Sequence, residues 1–215
     1  MKDAITSAEL PDLFASVAKI MHEKSAELCE MDALLGDGDL GLTMGKGFGA
    51  LPEILRGLDE PSIGKTLVKA GMKMASVVPS TMGTLMSSGI MYGGKAIAED
   101  GQIDAGTFLR FLNGFADGIM KRGKCKRGER TVLDAIAPAA DCVAQALAHD
   151  PELSLAAAAA AAAAGAQTGV EATRQMEPKY GKAAVHKAAA RGKVDQGACA
   201  GLYMIQGFDS YIQNN

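Results

Sequence analysis

Stretches of helical periodicity alternate with glycine or proline breaks along this chain, and this alternation limits the folds open to it. Strand signals, such as alternating β-branched residues or an Asn-Gly turn, are scarce. The apolar spacing predicts helices over 12–30, 41–56, 62–77, 82–99, 104–121, 130–148, 152–176 and 197–213. Short connections between successive helices favour antiparallel neighbours. We therefore predict an all-α fold, a barrel or bundle of about eight antiparallel helices, in a single domain over residues 1–215.

An unbroken run of alanines, Ala156–Ala164, falls inside one predicted helix. Small side chains on a helix allow a neighbouring helix to approach closely. Alanine is also the best intrinsic helix former, so the run is equally consistent with helix propensity alone. Both interpretations concern structure and not chemistry.

Composition excludes several classes of function. The 215 residues are 48% apolar, which suffices for one substantial core. No apolar run reaches the roughly 18 to 20 residues of a membrane span, and the first residues lack a signal peptide's apolar stretch. The net charge of −3, the low aromatic content and the absence of tryptophan argue against nucleic-acid binding. The four cysteines are widely spaced, which predicts free thiols in the cytoplasm.

Three aspartates, Asp32, Asp37 and Asp39, fall within eight residues of a segment that also carries three glycines. Carboxylates held close together repel one another unless a cation lies between them. Magnesium prefers carboxylate, water and phosphate oxygens as ligands, and the glycines would allow a phosphate to follow the metal. The alternative is an Asp-Gly turn in which two of the aspartates cap a helix. Spacing alone leaves both interpretations open.

Three later segments carry compatible chemistry, each with a structural alternative. Ser80–Gly89 places hydroxyl and small residues at a helix start, which suits phosphate binding or tight helix packing. Lys121–Arg130 is a basic loop that either closes over an anion or stays solvated. Near the C-terminus, Asp195 precedes an apolar helix as a cap or a ligand contact. None of these segments is decisive alone.

Taken in order, the four segments resemble the nucleotide-binding L subunit of dihydroxyacetone kinases, which also occurs as the C-terminal domain of single-chain versions. The family pattern has a leading Asp and Gly-Asp-x-Asp-His-Gly, a small-residue loop, Gly-Asp-Lys-Thr-Met-x-Asp, Gly-Arg-Ala-Ser, and Asp-Pro-Gly-Ala. The matching segments here are Asp32 with Gly36–Gly41, Pro79–Gly83, Gly128–Asp134, Gly181–Ala184 and Asp195–Ala198. Their order and spacing span nearly the whole chain.

The resemblance implies a barrel of eight antiparallel helices with ADP or ATP at one rim. It implies two Mg²⁺ ions held by Asp32, Asp37 and Asp39. It further implies nucleotide contacts from Leu40, Gly41, Leu42, Thr43, Thr81, Met82, Gly123, Val132, Lys182, Asp195, Gln196 and Gly197. No residue of this chain is expected to act as a nucleophile or an acid–base catalyst.

The chain departs from the family pattern at four of these positions. Leu40 replaces the usual histidine, Met82 a serine, Lys182 an arginine and Gln196 a proline. The arginine-to-lysine change loses bidentate clamping but keeps the charge. All three predicted metal ligands are present. The departures leave open a divergent paralogue that acts on another small polyol or keto-sugar.

The resemblance also implies partners. In the family a separate K-type subunit or domain holds the short keto-sugar through a histidine, and this chain is too short to contain that domain. The donor is either exchanged as ATP or regenerated on bound ADP by a phosphocarrier of the phosphotransferase system. A homodimer is a further candidate assembly. Two rival hypotheses remain, a non-catalytic nucleotide-binding regulator and a helical interaction protein whose aspartates are caps.

Overall fold

The computed structural model describes residues 2–185 and 187–215, and of Lys182 it describes the backbone but not the side chain. Within that part of the chain the regular secondary structure is helical, and Ile5 and Ile103 form an isolated antiparallel bridge. The α-helices are α1 Leu10–Glu23, α2 Ser25–Ala33, α3 Leu40–Arg56, α4 Ile63–Val77, α5 Thr81–Ala96, α6 Ala105–Gly123, α7 Leu133–His149, α8 Leu155–Ala172, α9 Lys187–Ala190 and α10 Gln196–Gln213. Short 3-10 helices lie at Ser7–Glu9, Thr173–Gln175 and Lys182–Ala184.

Eight of the described helices close into a ring. The contacts run from α1 to α3, then through α4, α5, α6, α7 and α8 to α10, which packs back on α1. Helix α2 lies outside this order and packs on α3 and α10. The predicted all-α barrel is therefore confirmed.

Local sequence explains where most of these helices begin. At five helix starts the side chain of a Ser or Asp accepts a hydrogen bond from the backbone N–H three residues later, which satisfies one of the free N–H groups of the first turn. These N-cap residues are Ser62, Ser80, Asp104, Ser154 and Asp195.

The barrel interior is apolar and tightly packed. Phe208 of α10 meets Phe14 of α1 edge-on, with ring centroids 5.5 Å apart. Glycines mark the closest helix approaches, because a Cβ at Gly165 or Gly169 of α8 would collide with backbone carbonyls of α7. The alanine run lies in this same helix, and Ala158, like several of its neighbours, is fully buried. Small side chains thus bring α8 close to α7.

The prediction of one helix over residues 12–30 is wrong. The chain forms two helices, α1 and α2, which are separated at Lys24. The N–H of Lys24 still donates to the carbonyl of Ile20, but its ψ of 3° departs from the helical value. No glycine or proline marks this bend. Packing of α2 on α3 and α10 accounts for it, which is a tertiary effect that local periodicity does not report.

Two predictions from composition concern membrane-spanning segments and the cysteines. No helix in the described ranges is long and apolar enough to cross a membrane. All four cysteines are free thiols, and Cys125 and Cys199 are buried.

Candidate functional site

A pocket of about 560 Å³ opens at one end of the barrel. This volume lies within the range typical of small-molecule sites. Its walls come from five separate parts of the sequence, and they are formed by Asp32, Leu35, Gly36, Asp37, Asp39, Leu40, Thr43, Pro79, Ser80, Thr81, Met82, Leu85, Arg130, Thr131, Val132, Tyr180, Gly181, Ala183, Asp195, Gln196 and Gly197.

Four helices begin at this pocket. They are α3, α5, α7 and α10, which are every second member of the ring. Alternate helices start at the same end because ring neighbours run antiparallel. A helix N-terminus presents free N–H groups and a partial positive charge, which favour a bound anion. The fold therefore directs four such termini at one pocket.

The aspartate segment forms the loop between α2 and α3. One carboxylate oxygen of Asp32, Oδ2, accepts hydrogen bonds from the N–H groups of Gly38 at 2.9 Å and Asp39 at 3.2 Å. A Cβ at Gly36 would collide with the Asp32 carboxylate, so glycine is needed there for the loop to close over it. Asp32 thus shapes the loop that carries the other two aspartates.

Asp39 stands at the N-cap position of α3, yet its side chain makes no capping hydrogen bond. The carboxylate is exposed and borders the pocket. This observation removes the capping alternative for Asp39. Asp32 and Asp37 border the same pocket.

The donor set of the three aspartates consists only of carboxylate oxygens, which suits a hard divalent cation such as Mg²⁺. Among the described residues, however, no group of three or more His, Cys, Asp or Glu side chains is gathered closely enough to hold a metal ion. The residue types therefore fit magnesium, and the remaining ligands would have to come from water or phosphate oxygens, as is usual for this ion.

The small-residue loop before α5 forms the next wall. Ser80 caps the helix by accepting from the N–H of Gly83 at 3.0 Å, and the hydroxyl of Thr84 donates back to the Ser80 carbonyl at 2.6 Å. Thr81 and Met82 follow directly and line the pocket. The cap fixes their backbone at the helix start, where the N–H groups are free for a ligand.

The loop before α7 is shaped by a buried carboxylate. Asp134 accepts hydrogen bonds from the N–H groups of Gly128 at 2.6 Å and Thr131 at 2.8 Å. This closes the turn that holds Arg130 with a φ of 60°, which is uncommon for a residue other than glycine. Arg130, Thr131 and Val132 then line the pocket in succession.

The start of α10 forms a further wall of the pocket, with Asp195, Gln196 and Gly197. Asp195 caps this helix by accepting from the N–H of Ala198 at 2.8 Å, and its own N–H donates to the hydroxyl of Thr173 at 2.9 Å. Burial raises the pKa of Asp195 to about 6. The side-chain amide of Gln196 lies 3.5 Å from Asp32 Oδ1, and this contact joins the start of α10 to the aspartate loop.

The segment before α9 contributes Tyr180, Gly181 and Ala183 to the pocket wall. Its Lys179 pairs with Glu129 at 3.0 Å, and the Tyr180 hydroxyl donates to the carbonyl of Lys124 at 2.8 Å. On the opposite side, Ala183 and Ala190 pack against Leu35. The segment is thereby tied to both the basic loop and the aspartate loop.

Most of the residues predicted for the site border the pocket. Those that do are Asp32, Asp37, Asp39, Leu40, Thr43, Thr81, Met82, Val132, Asp195, Gln196 and Gly197. Gly41, Leu42 and Gly123 do not line it. Gly41 instead touches the backbone of Ser25, and Leu42 is 67% exposed. The side chain of Lys182 lies outside the described part of the chain.

Several lining residues were not predicted. Ser80, Arg130, Thr131 and Tyr180 are the polar ones. A Ser directly before an apolar helix is a recognisable capping signal. Arg130 is one of six basic residues between Lys121 and Arg130, and the other five are exposed, so the sequence does not distinguish it from them.

The fold and the pocket define an all-α domain whose binding site is suited to a phosphorylated ligand. The chain belongs to the family of the DAK2 domain, whose model matches residues 34–210.

Its relatives are kinases or kinase subunits by name. One is the ADP-binding subunit DhaL of the PEP-dependent dihydroxyacetone kinase of Escherichia coli, 25% identical over 203 residues, with 94% of this chain and 96% of that protein covered. Another is a D-erythrulose kinase of Mycolicibacterium smegmatis, 28% identical over 187 residues. That match covers 86% of this chain but only 32% of the larger protein.

A solved structure has the same fold. The dihydroxyacetone kinase of C. freundii, determined in complex with AMP-PNP and Mg²⁺, superposes with a TM-score of 0.70 at 22% identity. The match covers 98% of this chain and 35% of that one. The chain thus corresponds to about a third of the single-chain kinases and to nearly all of the E. coli subunit.

Proposed function

We propose that this chain is the ADP- or ATP- and magnesium-binding subunit of a dihydroxyacetone-type kinase. In this role it supplies the phosphoryl group, and a K-type partner subunit holds the acceptor, a short keto-sugar or polyol. The observation that carries the proposal is the pocket where four helix N-termini meet three aspartates. Full-length similarity to an ADP-binding kinase subunit supports the same assignment.

The pocket residues divide into two groups with different tasks. Thr43, at the start of α3, and the aspartate loop would bind the phosphates, where helix N–H groups favour negative charge. Met82 of α5, Val132 before α7 and the apolar Leu85 would pack against the base. The segment that carries Tyr180 would limit the access of water to the phosphates, which protects a phosphoryl group from hydrolysis.

Asp32, Asp37 and Asp39 would hold magnesium through their carboxylate oxygens. Bound magnesium neutralises charge on the phosphates as the phosphoryl group is transferred. The Asp32 carboxylate already accepts two backbone hydrogen bonds, which fixes its orientation. We assign these side chains to binding and positioning, and we assign no nucleophile to this chain. The assignment of two ions follows the resemblance.

The donor mode is part of the proposal. The E. coli relative is named a PEP-dependent kinase subunit, and this chain covers nearly its whole length. We therefore propose that ADP stays bound and is recharged in place by a phosphocarrier of the phosphotransferase system. Exchange of ATP for ADP is the alternative, and the erythrulose and yeast-type relatives are much longer single chains.

The metal assignment is tested with Asp37→Asn, which keeps the size of the side chain and removes one ligand charge. Asp59→Asn is the matched control, because Asp59 is exposed and does not border the pocket. We expect calorimetry to show that the first change weakens magnesium-dependent ADP binding by about tenfold or more and that the control leaves it unchanged. Equal ADP affinity in all three proteins would exclude the aspartates as ligands.

The kinase role is tested by adding a K-type subunit and dihydroxyacetone. Transfer from ATP, or from a phosphocarrier with catalytic ADP, should produce the sugar phosphate. The Leu40 side chain borders the pocket where the family pattern has histidine. If the chain binds Mg·ADP but transfers no phosphoryl group to any short sugar tested, the alternative of a nucleotide-binding regulator is supported.

A further inference from the structure

Arg130 is a buried cation whose guanidinium is only partly used. The residue is 4% exposed. One nitrogen, Nη2, donates to the carbonyls of Lys193 at 3.1 Å and Val194 at 3.3 Å. The other two, Nε and Nη1, are buried and have no hydrogen-bond partner within the described structure. Buried polar groups are nearly always paired, so these N–H groups call for an explanation.

The charged residues that neighbour Arg130 in the same loop do not pair with its free N–H groups. Arg127 points outward and binds both carboxylate oxygens of Asp141, at 2.5 and 3.0 Å. Glu129 is occupied by Lys179 and by the N–H of Lys126. In the described part of the chain, Arg130 has no ion pair with any carboxylate, although its charge opposes the rise that burial causes in the pKa of Asp195. That interaction leaves Nε and Nη1 without hydrogen bonds. Burying a charged group with unpaired N–H groups is costly, and an incoming anion would reduce that cost.

The backbone of Arg130 adopts an energetically unfavourable conformation. Its φ of 60° lies in the left-handed region, which costs a residue with a Cβ on the order of 1 kcal/mol or more. The carboxylate of Asp134 maintains the turn by bonding to the N–H groups on either side of Arg130. The side chain is thereby directed to the pocket wall, between the starts of α7 and α10. Strained backbone of this kind is concentrated at ligand sites.

We propose that Arg130 binds an anionic oxygen of the nucleotide's phosphates through its free guanidinium N–H groups. The proposal rests on the proposed function of the pocket as a nucleotide site. It assigns to this side chain a positive charge that balances the phosphates, in addition to the charge that the resemblance implies for Lys182. Its competitor is a structural role, in which Arg130 only ties the chain at Lys193 and Val194 to the α7 loop.

The first experiment compares Arg130→Met with Arg127→Met. Both changes remove one positive charge from the same loop, but Arg127 is exposed and lies outside the pocket. We expect Arg130→Met to weaken Mg·ADP binding by about 10- to 100-fold, as loss of a hydrogen bond to a charged group does, and Arg127→Met to leave it within about twofold. Arg130→Lys, which keeps the charge without the planar fork, should fall between them. Equal affinities for Arg130→Met and the parent would overturn the proposal.

A second measurement uses the unaltered protein and does not depend on how the variants fold. The Nε–H resonance of Arg130, assigned through its own side-chain correlations in ¹⁵N-labelled protein, is followed during titration with Mg·ADP. Direct contact should shift this resonance and slow its exchange with water. If the parent binds Mg·ADP while the resonance stays unchanged, Arg130 is structural only. If the parent does not bind Mg·ADP at all, the nucleotide assignment of the whole pocket fails instead.

Discussion

At the scale of single residues, the pocket walls carry ionisable side chains in uncommon settings. Arg130 is a buried cation with free N–H groups, and Asp195 is a buried acid. Asp39 occupies a cap position without capping. Residues in settings that do not favour the stability of the fold are typical of functional sites. Elsewhere, the Asp and Ser residues at helix starts form ordinary caps.

The buried acid Asp195 gives stability a predictable pH dependence. Burial raises its pKa from 3.8 to about 6, so the folded state binds a proton more readily than the unfolded chain. Its contribution to stability is then fully present below pH 4 and is lost as the pH rises through about 6. The complete shift corresponds to roughly 3 kcal/mol. The variant Asp195→Asn cannot titrate and should lose this pH dependence.

Urea unfolding of the parent and of Asp195→Asn between pH 4.5 and 7.5 measures the effect. We expect the difference in the free energy of unfolding to move in favour of the variant as the pH rises. Asp104→Asn is the control, because Asp104 caps α6 in the same way but is exposed. A difference for Asp195→Asn that is constant over this pH range would contradict the assignment.

Single residues also show which parts of the site could be predicted from the sequence and which could not. The three aspartates and the start of α10 were predicted as site residues because, in order along the chain, their segments resemble the family pattern. Arg130 was not, because a run of Lys and Arg usually lies in solvent, as Arg127 does. Arg130 alone among these cations is buried, in the turn that the hydrogen bonds of Asp134 close. That distinction depends on tertiary hydrogen bonds.

At the scale of elements, the contact between α2 and α3 positions the aspartate loop. Gly41 lies at this contact, and a Cβ there would collide with the carbonyl of Ser25. The resemblance assigned Gly41 to the phosphates, and the structure adds a packing requirement. The bend at Lys24 sets the direction of α2, and therefore where Asp32 lies. Periodicity predicted one continuous helix over residues 12–30, because the sequence has no glycine or proline at the bend.

The substitution Gly41→Ala tests this contact. Since the colliding atom belongs to the backbone, it cannot move aside easily, and we expect a loss of about 1 to 3 kcal/mol in the free energy of unfolding. Gly49→Ala in the same helix is the control. Its Cβ would meet no atom within 4 Å, so the higher helix propensity of alanine should add up to about 1 kcal/mol. Denaturant unfolding that shows the same change for both variants would disprove the packing role.

At the scale of the whole molecule, the ring of antiparallel helices explains why the site is where it is. Alternate helices begin at the same end, so segments distant in sequence meet there with their N–H groups exposed. The pocket joins the loop after α2 to the start of α10, more than 150 residues later, through the contact of Gln196 with Asp32. A ligand in this pocket therefore holds both ends of the chain, and binding should stabilise the barrel as a unit.

This argument predicts a large thermal shift. Saturation at 100 times the dissociation constant adds about 2.7 kcal/mol of stability. For a chain of this size, 1 kcal/mol corresponds to about 2 to 4 °C in Tm, so Mg·ADP should raise Tm by about 5 to 10 °C. A chelator should remove most of this increase, because the phosphates then face Asp32, Asp37 and Asp39 without a cation. Asp59→Asn should retain the increase and Asp37→Asn should lose it. If ADP produces no shift with or without magnesium, the aspartates have only a structural role and the helical interaction protein becomes the better interpretation.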